Sequence, residues 1–221
     1  MIGVVRRALW WAQDYAYAAV WQARAFGSRG RADAYSRGAG VPIIVLPGIY
    51  ETWRFMQPLI EHAHRAGHPV HVVEPLQRNL RPVGEMAESV SAYLLAHDLR
   101  EVILLAHSKG GLAGKLVMLG AEGSRVRGML AVATPFGGSR YARVMLTRGL
   151  RSLAPGHPSI SALSEQREAN TRIVSVYARF DPHIPEGSEL PGAKNVPLDT
   201  GGHFRVLAHP RVMAELAALA E

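Results

Sequence analysis

The chain has 221 residues, of which 48% are hydrophobic and 19% charged, so wholesale disorder and fibrous repeats are excluded. Lys and Arg number 25 against 18 Asp and Glu, and the net charge of +7 favours anionic partners such as acidic lipid surfaces, nucleic acid or anionic substrates. The absence of cysteine excludes disulfides, cysteine-based zinc sites and a catalytic thiol.

The first predicted element is an amphipathic helix over residues 4–26. Its polar stripe comprises Arg6, Arg7, Gln13, Asp14 and Arg24, and its apolar side comprises Leu9, Ala12, Ala16, Ala19, Val20 and Ala23. Trp10, Tyr17 and Trp21 lie along the edge of the polar stripe. Aromatic residues beside cations fit a lipid headgroup interface, and they equally fit a helix packed on the sheet or an oligomer contact.

No secretory signal is predicted, because Gln13 and Asp14 interrupt the apolar stretch that would follow the first two arginines. No uncharged run of about 18 apolar residues is present, so no membrane-spanning helix is predicted. Residues 27–40 are rich in Gly, Arg and Ser and predict a linker. We expect a cytoplasmic location, with peripheral membrane contact through residues 4–26 and secretion as open alternatives.

From residue 41 onward, short apolar runs alternate with segments of helical spacing. The runs are largely continuous in Val, Ile and Leu, as expected for a parallel sheet buried on both faces. We predict strands at 42–46, 70–73, 102–106, 128–133, 173–178 and 195–198, and helices at 53–66, 84–97, 110–121, 139–150, 159–169 and 205–220. The alternation predicts one α/β domain over residues 41–221, preceded by the helix and linker of residues 1–40.

The segment around Ser108 predicts a nucleophilic serine. A buried strand leads into Ser108, and a predicted helix follows at once. Ala106 and Gly110 lie two residues away on either side, where larger side chains would collide with the neighbouring chain in a nucleophile elbow. The N-terminus of the following helix favours developing negative charge at this position. An ordinary strand-to-helix loop is the alternative, and the flanking strand and helix favour the elbow.

A serine nucleophile needs a general base and an acidic residue that orients the base. Asp181 comes directly after a predicted strand, and His203 follows the last predicted strand. In open α/β sheets, active-site groups lie at the carboxyl ends of strands. The chain order serine, aspartate, histidine is the one expected in this architecture. The sequence therefore predicts Ser108, His203 and Asp181 as nucleophile, base and acid.

Other residues are alternatives for the acid and the base of this triad. Asp199 is an alternative acid, but it lies too near His203 in sequence to come from a separate strand end. His183 and His209 are alternative bases. His183 follows the predicted acid closely, and His209 falls inside a predicted helix. The side chain of His107 is expected to point away from the nucleophile.

Backbone amides that stabilise an oxyanion are expected at the end of the first predicted strand, where residues 43–50 run into a Pro-Gly turn. The N–H of Ile49 is the predicted donor from this loop, and the N–H of Lys109, directly after the nucleophile, is the second donor. A plain strand-to-helix turn is the alternative, and the neighbouring elbow favours the oxyanion role.

Four segments together resemble the α/β-hydrolase superfamily, and within it the bacterial serine lipases and esterases. They are residues 46–49, 106–111, 133–139 and 181–185. The resemblance covers residues 41–221, which is most of the chain. It implies the α/β-hydrolase fold, which is a mostly parallel central sheet with helices on both faces and, here, a small cap or none.

The resemblance implies a role for each matching residue of the site. It makes Ser108 the nucleophile, Asp181 the acid, His203 the base, and Ile49 and Lys109 the backbone oxyanion donors. Two departures from the family pattern concern the loops around these residues. Ala106 replaces the usual glycine before the nucleophile, and Pro47 stands where many members carry histidine, which leaves the geometry of the oxyanion loop open.

The implied reaction is hydrolysis of a small-molecule or lipid ester through an acyl-enzyme, with no metal or organic cofactor. The short segment between the fourth and fifth predicted strands carries Arg140, Arg143, Arg148 and Arg151. A small lid there suits bulky acyl esters, and a solvated helix face is the alternative. Thioesterase, acyltransferase and perhydrolase activities remain open on this fold, as does a non-catalytic protein at an anionic surface. Scattered arginines without a recognised motif argue against nucleic-acid binding.

Overall fold

The structure is a computed structural model that describes residues 3–27, 31–73, 76 and 79–221. Its strands are β1 (Ile43–Leu46), β2 (Val70–Val72), β3 (Val102–His107), β4 (Val126–Val132), β5 (Ile173–Phe180) and β6 (Lys194–Gly201). They form one six-stranded sheet in the order β2-β1-β3-β4-β5-β6. Every pairing between neighbouring strands is parallel, which confirms the predicted parallel α/β sheet.

The α-helices are α1 (Val4–Gly27), α2 (Gln57–Arg65), α3 (Val83–Ala96), α4 (Lys109–Leu119), α5 (Arg148–Arg151), α6 (Pro158–Glu165) and α7 (Pro210–Ala220). Short 3-10 helices occupy Ala32–Tyr35, Trp53–Met56, Ala121–Arg125, Arg140–Val144, Asn170–Arg172 and Arg205–Ala208. The 3-10 helices lie mainly in the connections between strands and α-helices.

The sheet is buried on both faces, because alternate strand residues point to opposite sides. From β1, Ile44 and Leu46 enter a core that also contains residues of α3, α4 and α6. The alternate residues Ile43 and Val45 enter a second core with residues of α2 and α7. The predicted arrangement of helices on both faces of the sheet is thereby confirmed.

Three predicted helices are divided in the structure. The segment 53–66 forms the 3-10 helix Trp53–Met56, followed directly by α2. The segment 205–220 starts as a 3-10 helix, and α7 begins only at Pro210. His209 precedes this proline with an extended backbone (ψ 133°), because the proline ring disfavours a helical conformation in the preceding residue. The segment 139–150 forms one 3-10 helix and the separate, four-residue α5.

The buried face of α1 differs from the side predicted to be apolar. Trp10 and Asp14 are buried, and Tyr17 and Trp21 are partly buried, at the spacing of one helix face. The predicted apolar side, which includes Leu9 and several alanines, is exposed. Large aromatic rings bury far more apolar area than alanine side chains, so the aromatic stripe decides which side of the helix packs.

The predicted linker 27–40 is partly structured. Residues 28–30 lie outside the described residues. Tyr35 stacks edge-on against Trp53 and His64, with ring centroids 5.9 and 5.6 Å apart. The division of the chain at residue 40 stays a prediction. Among the described residues, each helix is too short or too polar to cross a membrane.

Candidate active site

Ser108 lies at a sharp turn between β3 and α4. Its backbone has φ 51° and ψ −125°, a region that costs a residue with a side chain about 1–3 kcal/mol. Its N–H donates to the carbonyl of Val132 at 2.8 Å, which anchors the turn. At Gly110, a Cβ atom would lie 2.1 Å from the carbonyl oxygen of Leu46, so only glycine allows this approach to β1. The strand, strained turn and helix expected of an elbow are all present.

The structure brings the three residues predicted as a triad into one hydrogen-bonded row. His203 Nε2 lies 3.0 Å from Ser108 Oγ, and His203 Nδ1 lies 2.8 Å from Asp181 Oδ2. An ionised carboxylate can only accept, so Nδ1 carries the proton and Nε2 is free to accept the serine hydroxyl. All three side chains are almost fully buried. This arrangement can transfer the serine proton to the imidazole.

The charges of the pair strengthen this arrangement. Burial alone would lower the pKa of His203, but the adjacent Asp181 carboxylate, together with the charges of Glu51 and Asp14, raises that pKa above the usual 6.5. Burial alone would raise the pKa of Asp181, and the His203 imidazole together with the N–H of His183 lowers it instead. Asp181 Oδ1 also accepts the N–H of His183 at 2.7 Å and of Ile184 at 3.0 Å, which orients the carboxylate.

The alternative acid and bases lie elsewhere or make other contacts. Asp199 is exposed on β6, 3.9 Å from Arg6. His209 caps α7, where its ring accepts the N–H of Arg211. His183 packs beside His203 with ring centroids 4.9 Å apart. Burial and the nearby His203 lower the pKa of His183 to about 4, so its ring is neutral at neutral pH.

The side chain of His107 points away from the nucleophile, as predicted, and enters a buried polar cluster. Its Nδ1 lies 2.8 Å from a carboxylate oxygen of Glu51, and its Nε2 lies 3.1 Å from the carbonyl oxygen of His203. Both ring nitrogens of His107 thus lie within hydrogen-bond distance of an oxygen atom. Glu51 also accepts the N–H of Gly48 at 2.7 Å. The cluster connects the predicted oxyanion loop to the segment that carries the base.

The predicted oxyanion loop lies directly against the nucleophile. A Cβ atom at Gly48 would be 3.1 Å from Ser108 Cβ, so the absence of a side chain lets the loop approach. Ile49 and Lys109 line the same cavity as Ser108. The side chain of Lys109 turns away, and its Nζ donates to the carbonyl oxygens of Asn79, at 3.0 Å, and of Arg81. The oxyanion role of the Lys109 backbone N–H stays a prediction.

A cavity of about 300 Å³ opens onto Ser108 and His203. Most of its remaining lining is apolar and comes from Ile49, Tyr50, Pro135, Tyr141, Ala142, Met145, Leu150, Leu153, Ile184 and Phe204, and the polar rest comes from Glu51, Lys109, Ser139 and His183. Two of the four arginines at positions 140, 143, 148 and 151 hold the segment between β4 and β5 through contacts within the protein. Arg140 pairs with Glu186 at 2.6 Å, and Arg151 donates to the carbonyls of Met145 and Leu146. Such a space accepts an apolar group beside the nucleophile.

Sequence reasoning missed two buried carboxylates of the site, Asp14 and Glu51. Asp14, which lies on α1, accepts hydrogen bonds from the backbone N–H groups of residues 203–205. The aromatic residues at helical spacing around Asp14 were the available signal, because they indicate a buried face. For Glu51, no pattern in the neighbouring sequence indicates that its side chain is buried. Within the described residues, no cluster of three or more His, Asp or Glu side chains could hold a metal ion.

No family model and no curated relative matches the sequence, whereas solved structures do. The mature form of the Bacillus licheniformis lipase BlEst2 has a TM-score of 0.66 and 16% identity over 83% of this chain and 93% of that chain. MGS-MChE2, an alpha/beta hydrolase from a lagoon sediment metagenome, has a TM-score of 0.62 and 18% identity over 82% and 90%. The non-heme bromoperoxidase BpoC of Mycobacterium tuberculosis, a putative assignment in its own description, has a TM-score of 0.63 and 13% identity over 83% and 94%.

Proposed function

We propose that this chain, which has the α/β-hydrolase fold, is a serine hydrolase that cleaves carboxylic esters. The observation that carries the proposal is the row of hydrogen bonds from Ser108 through His203 to Asp181 beside an apolar cavity. This row supplies a nucleophile, a base and an orienting acid at hydrogen-bond distances, which acyl transfer requires.

The first half of the reaction acylates Ser108. His203 Nε2 takes the proton of the hydroxyl as Ser108 Oγ attacks the ester carbonyl carbon. Asp181 holds the imidazole through Nδ1 and stabilises the imidazolium that forms. The tetrahedral intermediate collapses when His203 returns the proton to the leaving alcohol. The acyl group then remains on Ser108 Oγ.

Backbone amides stabilise the negative charge of the tetrahedral intermediate. The proposed donors are the N–H groups of Ile49 and Lys109, whose residues line the cavity beside Ser108. Lys109 begins α4, so the positive end of the helix dipole adds to the second donor. In the second half of the reaction, His203 activates a water molecule that attacks the acyl-enzyme and releases the acid.

The apolar lining supports a substrate with a hydrocarbon acyl group. Met145, Leu150 and Leu153, which belong to the 133–172 segment between β4 and β5, border the cavity. The lipase BlEst2 has a similar fold, which supports esters of this type without assigning one. BpoC shows that the same fold occurs in a protein described as a bromoperoxidase, so perhydrolysis is the second candidate.

The test is hydrolysis of p-nitrophenyl esters from acetate to palmitate by the wild type and by Ser108→Ala. We expect wild-type activity to fall by about 10⁴-fold or more in the variant, because the nucleophile is lost. Exposed Ser164→Ala, on α6, is the matched control and should retain activity. A folded wild type that is inert towards all these esters would overturn the proposal. Activity that needs hydrogen peroxide or an acceptor alcohol would favour perhydrolysis or acyl transfer.

The pH dependence follows from the state of His203. Its neutral form is the base, and its pKa is raised above 6.5, with burial opposing and Asp181 causing the increase. We therefore expect kcat/KM to rise with pH, with its half-maximum above pH 6.5. Replacing Asp181 by Asn should remove the carboxylate and lower both the activity and this pH midpoint. A profile that is flat from pH 5 to 8 contradicts the assignment of His203 as base.

We also propose that residues 4–26 contact an acidic lipid surface. The exposed side of α1 carries Val4, Val5 and Leu9, next to the exposed Arg6 and Arg7. Apolar side chains flanked by cations favour shallow insertion beside anionic headgroups. A peripheral location at a membrane would bring the cavity close to lipid esters.

A further inference from the structure

One carboxylate of α1 enters the turn that carries the proposed base. Asp14 is completely buried. Its Oδ2 accepts the N–H of His203 at 2.9 Å, and its Oδ1 accepts the N–H groups of Phe204 and Arg205, both at 2.8 Å. Three consecutive backbone amides therefore converge on a single side chain, which fixes the path of the backbone through His203.

The last of these amides belongs to the first residue of the 3-10 helix Arg205–Ala208, and the other two belong to the two residues before it. The N–H groups at the start of a helix have no acceptor within the helix and need one elsewhere. The residue at its N-cap position is Phe204, which has no side-chain acceptor, and no side-chain capping bond is made there. Asp14 supplies the missing acceptor from 190 residues earlier in the chain. Helix caps are ordinarily supplied by a neighbouring residue, whereas here Asp14 of the distant helix α1 supplies the cap.

Two glycines make room for this contact. At Gly201, a Cβ atom would lie 2.5 Å from the indole ring of Trp10, and at Gly202 it would lie 2.5 Å from Asp14 Oδ1. Gly202 also has φ 126°, a backbone conformation that other residues rarely adopt. The turn before His203 thus packs closely against α1, and this packing requires the absence of a side chain at both glycines.

We propose that Asp14 is a positioning residue for His203, and that α1 is therefore a working part of the active site. The carboxylate holds the His203 backbone so that Nε2 stays within reach of Ser108 Oγ while Nδ1 stays on Asp181. A displacement of about 1 Å in such a group can reduce turnover by about 100-fold.

The negative charge of Asp14 also acts on the imidazole. The charged or titratable groups near His203 are Asp181, Glu51, Asp14, His183 and His107. Asp14 is one of the three carboxylates that favour the protonated ring. Removing its charge should therefore move the acid limb of the pH profile to lower pH, a change that a purely structural contact would not produce.

The test compares Asp14→Asn and Asp14→Ala with Asp199→Asn in the full chain. Asn keeps one oxygen acceptor and Ala keeps none, so the two changes form a graded series. Asp199→Asn removes one charge from an exposed carboxylate that also faces α1, at 3.9 Å from Arg6. It is the matched control for charge. Circular dichroism and cooperative urea unfolding establish which variants fold.

Hydrogen exchange of the amides of residues 203–205 is the readout that requires no substrate. We expect slow exchange in the wild type and in Asp199→Asn, faster exchange at these amides in Asp14→Asn, and the fastest in Asp14→Ala. Rapid exchange of the three amides in the wild type overturns the proposal even if neither Asp14 variant folds. Equal protection in the wild type and a folded Asp14→Ala overturns it as well.

The kinetic readout rests on the proposed ester hydrolysis. In Asp14→Ala, we expect kcat to fall by about 10- to 100-fold with little change in KM, and the pH midpoint to decrease. Asp14→Asn should show the same decrease in the midpoint with a smaller loss of kcat. An inert wild type would contradict the proposed function and leave the exchange measurement to decide the role of Asp14. Unchanged kcat and midpoint in an active Asp14→Ala would overturn the positioning role alone.

Discussion

Two buried lysines of α4 show how strongly the hydrogen-bond partners of a buried side chain determine its contribution to stability. Lys109 and Lys115 are both fully buried, and burial lowers the pKa of each to about 8. Lys109 Nζ donates to the carbonyls of Asn79 and Arg81 and so ties the chain before α3 to the elbow helix. Lys115 Nζ has no hydrogen-bond partner among the described residues. Its burial therefore carries a desolvation penalty with little compensation.

Lys115→Met should stabilise the protein by about 1–3 kcal/mol at pH 7, because an apolar side chain of similar length removes that penalty. The native pKa of Lys115, about 8, lies below its ordinary value of 10.5. Between these values the unfolded chain binds more protons, so wild-type stability rises with pH and the advantage of the variant shrinks. Urea unfolding of both proteins at pH 7 and at about pH 9.5 measures this difference.

Lys109→Met is the matched control, because it removes the same charge together with two hydrogen bonds. We expect it to be less stable than Lys115→Met at pH 7. A stability advantage of Lys115→Met that does not change with pH would contradict a lowered pKa of Lys115 in the folded protein. A variant that is less stable than the wild type would show that Nζ makes a favourable contact.

At the level of elements, the packing of α1 on the end of β6 depends on the small size of Gly201. A Cβ atom there would lie 2.5 Å from the Trp10 ring, which also stacks on Phe180 with centroids 6.4 Å apart. Gly201→Ala should therefore destabilise the protein by about 1–3 kcal/mol through overpacking. In the Trp10→Ala background the same change should cost less, because the ring it would strike is absent.

A double-mutant cycle of Gly201→Ala and Trp10→Ala, measured by urea unfolding, tests this contact. Gly84→Ala is the control, since Gly84 lies in α3 with open space around its missing Cβ atom, and alanine should stabilise the helix by about 0.5–1 kcal/mol. Additive costs in the cycle would mean that α1 does not pack on β6 through Trp10.

The elements that the sequence predicts well are those whose signals are local. The continuous apolar run before Ser108 and the small residues around it predict both β3 and the elbow. The segment 205–220 was predicted as one helix because its apolar spacing continues past Pro210, whose effect on His209 divides it. For α1, the apolar residues at helical spacing are mostly alanines, which bury little area, so the aromatic side packs against the protein instead.

The residues of the site likewise divide into those that the sequence predicts and those that it does not. The proposed triad follows from chain order and strand ends, because the carboxyl ends of parallel strands meet at one edge of the sheet. Aromatic residues at helical spacing indicate that Asp14 lies on a buried face, but its three partners lie about 190 residues away and the local sequence does not identify them. Glu51 is similar, because its burial depends on His107, 56 residues later.

At the scale of the whole molecule, many of the exposed apolar side chains of the described residues lie in two segments. One is the outward side of α1, and the other is residues 144–146, where Val144 and Leu146 are 80% and 94% exposed and Met145 lines the cavity. Tyr15 connects α1 to the cavity, because its hydroxyl lies 3.1 Å from Nε2 of His183, which lines the cavity. Together with the net charge of +7, this distribution favours an acidic lipid surface as the partner.

Binding to lipid vesicles tests this surface through two leucines of similar exposure. Leu9 on α1 is 55% exposed and Leu95 on α3 is 52% exposed. We expect the wild type to bind vesicles of phosphatidylglycerol and phosphatidylcholine more tightly than phosphatidylcholine alone, and more weakly as salt rises. Leu9→Ser should weaken binding by about 5- to 10-fold, since about 1 kcal/mol of apolar burial is lost, whereas Leu95→Ser should leave it unchanged. Equal effects of the two substitutions would show that α1 does not contact the lipid surface, and equal binding to neutral vesicles would show that the protein does not prefer acidic lipid.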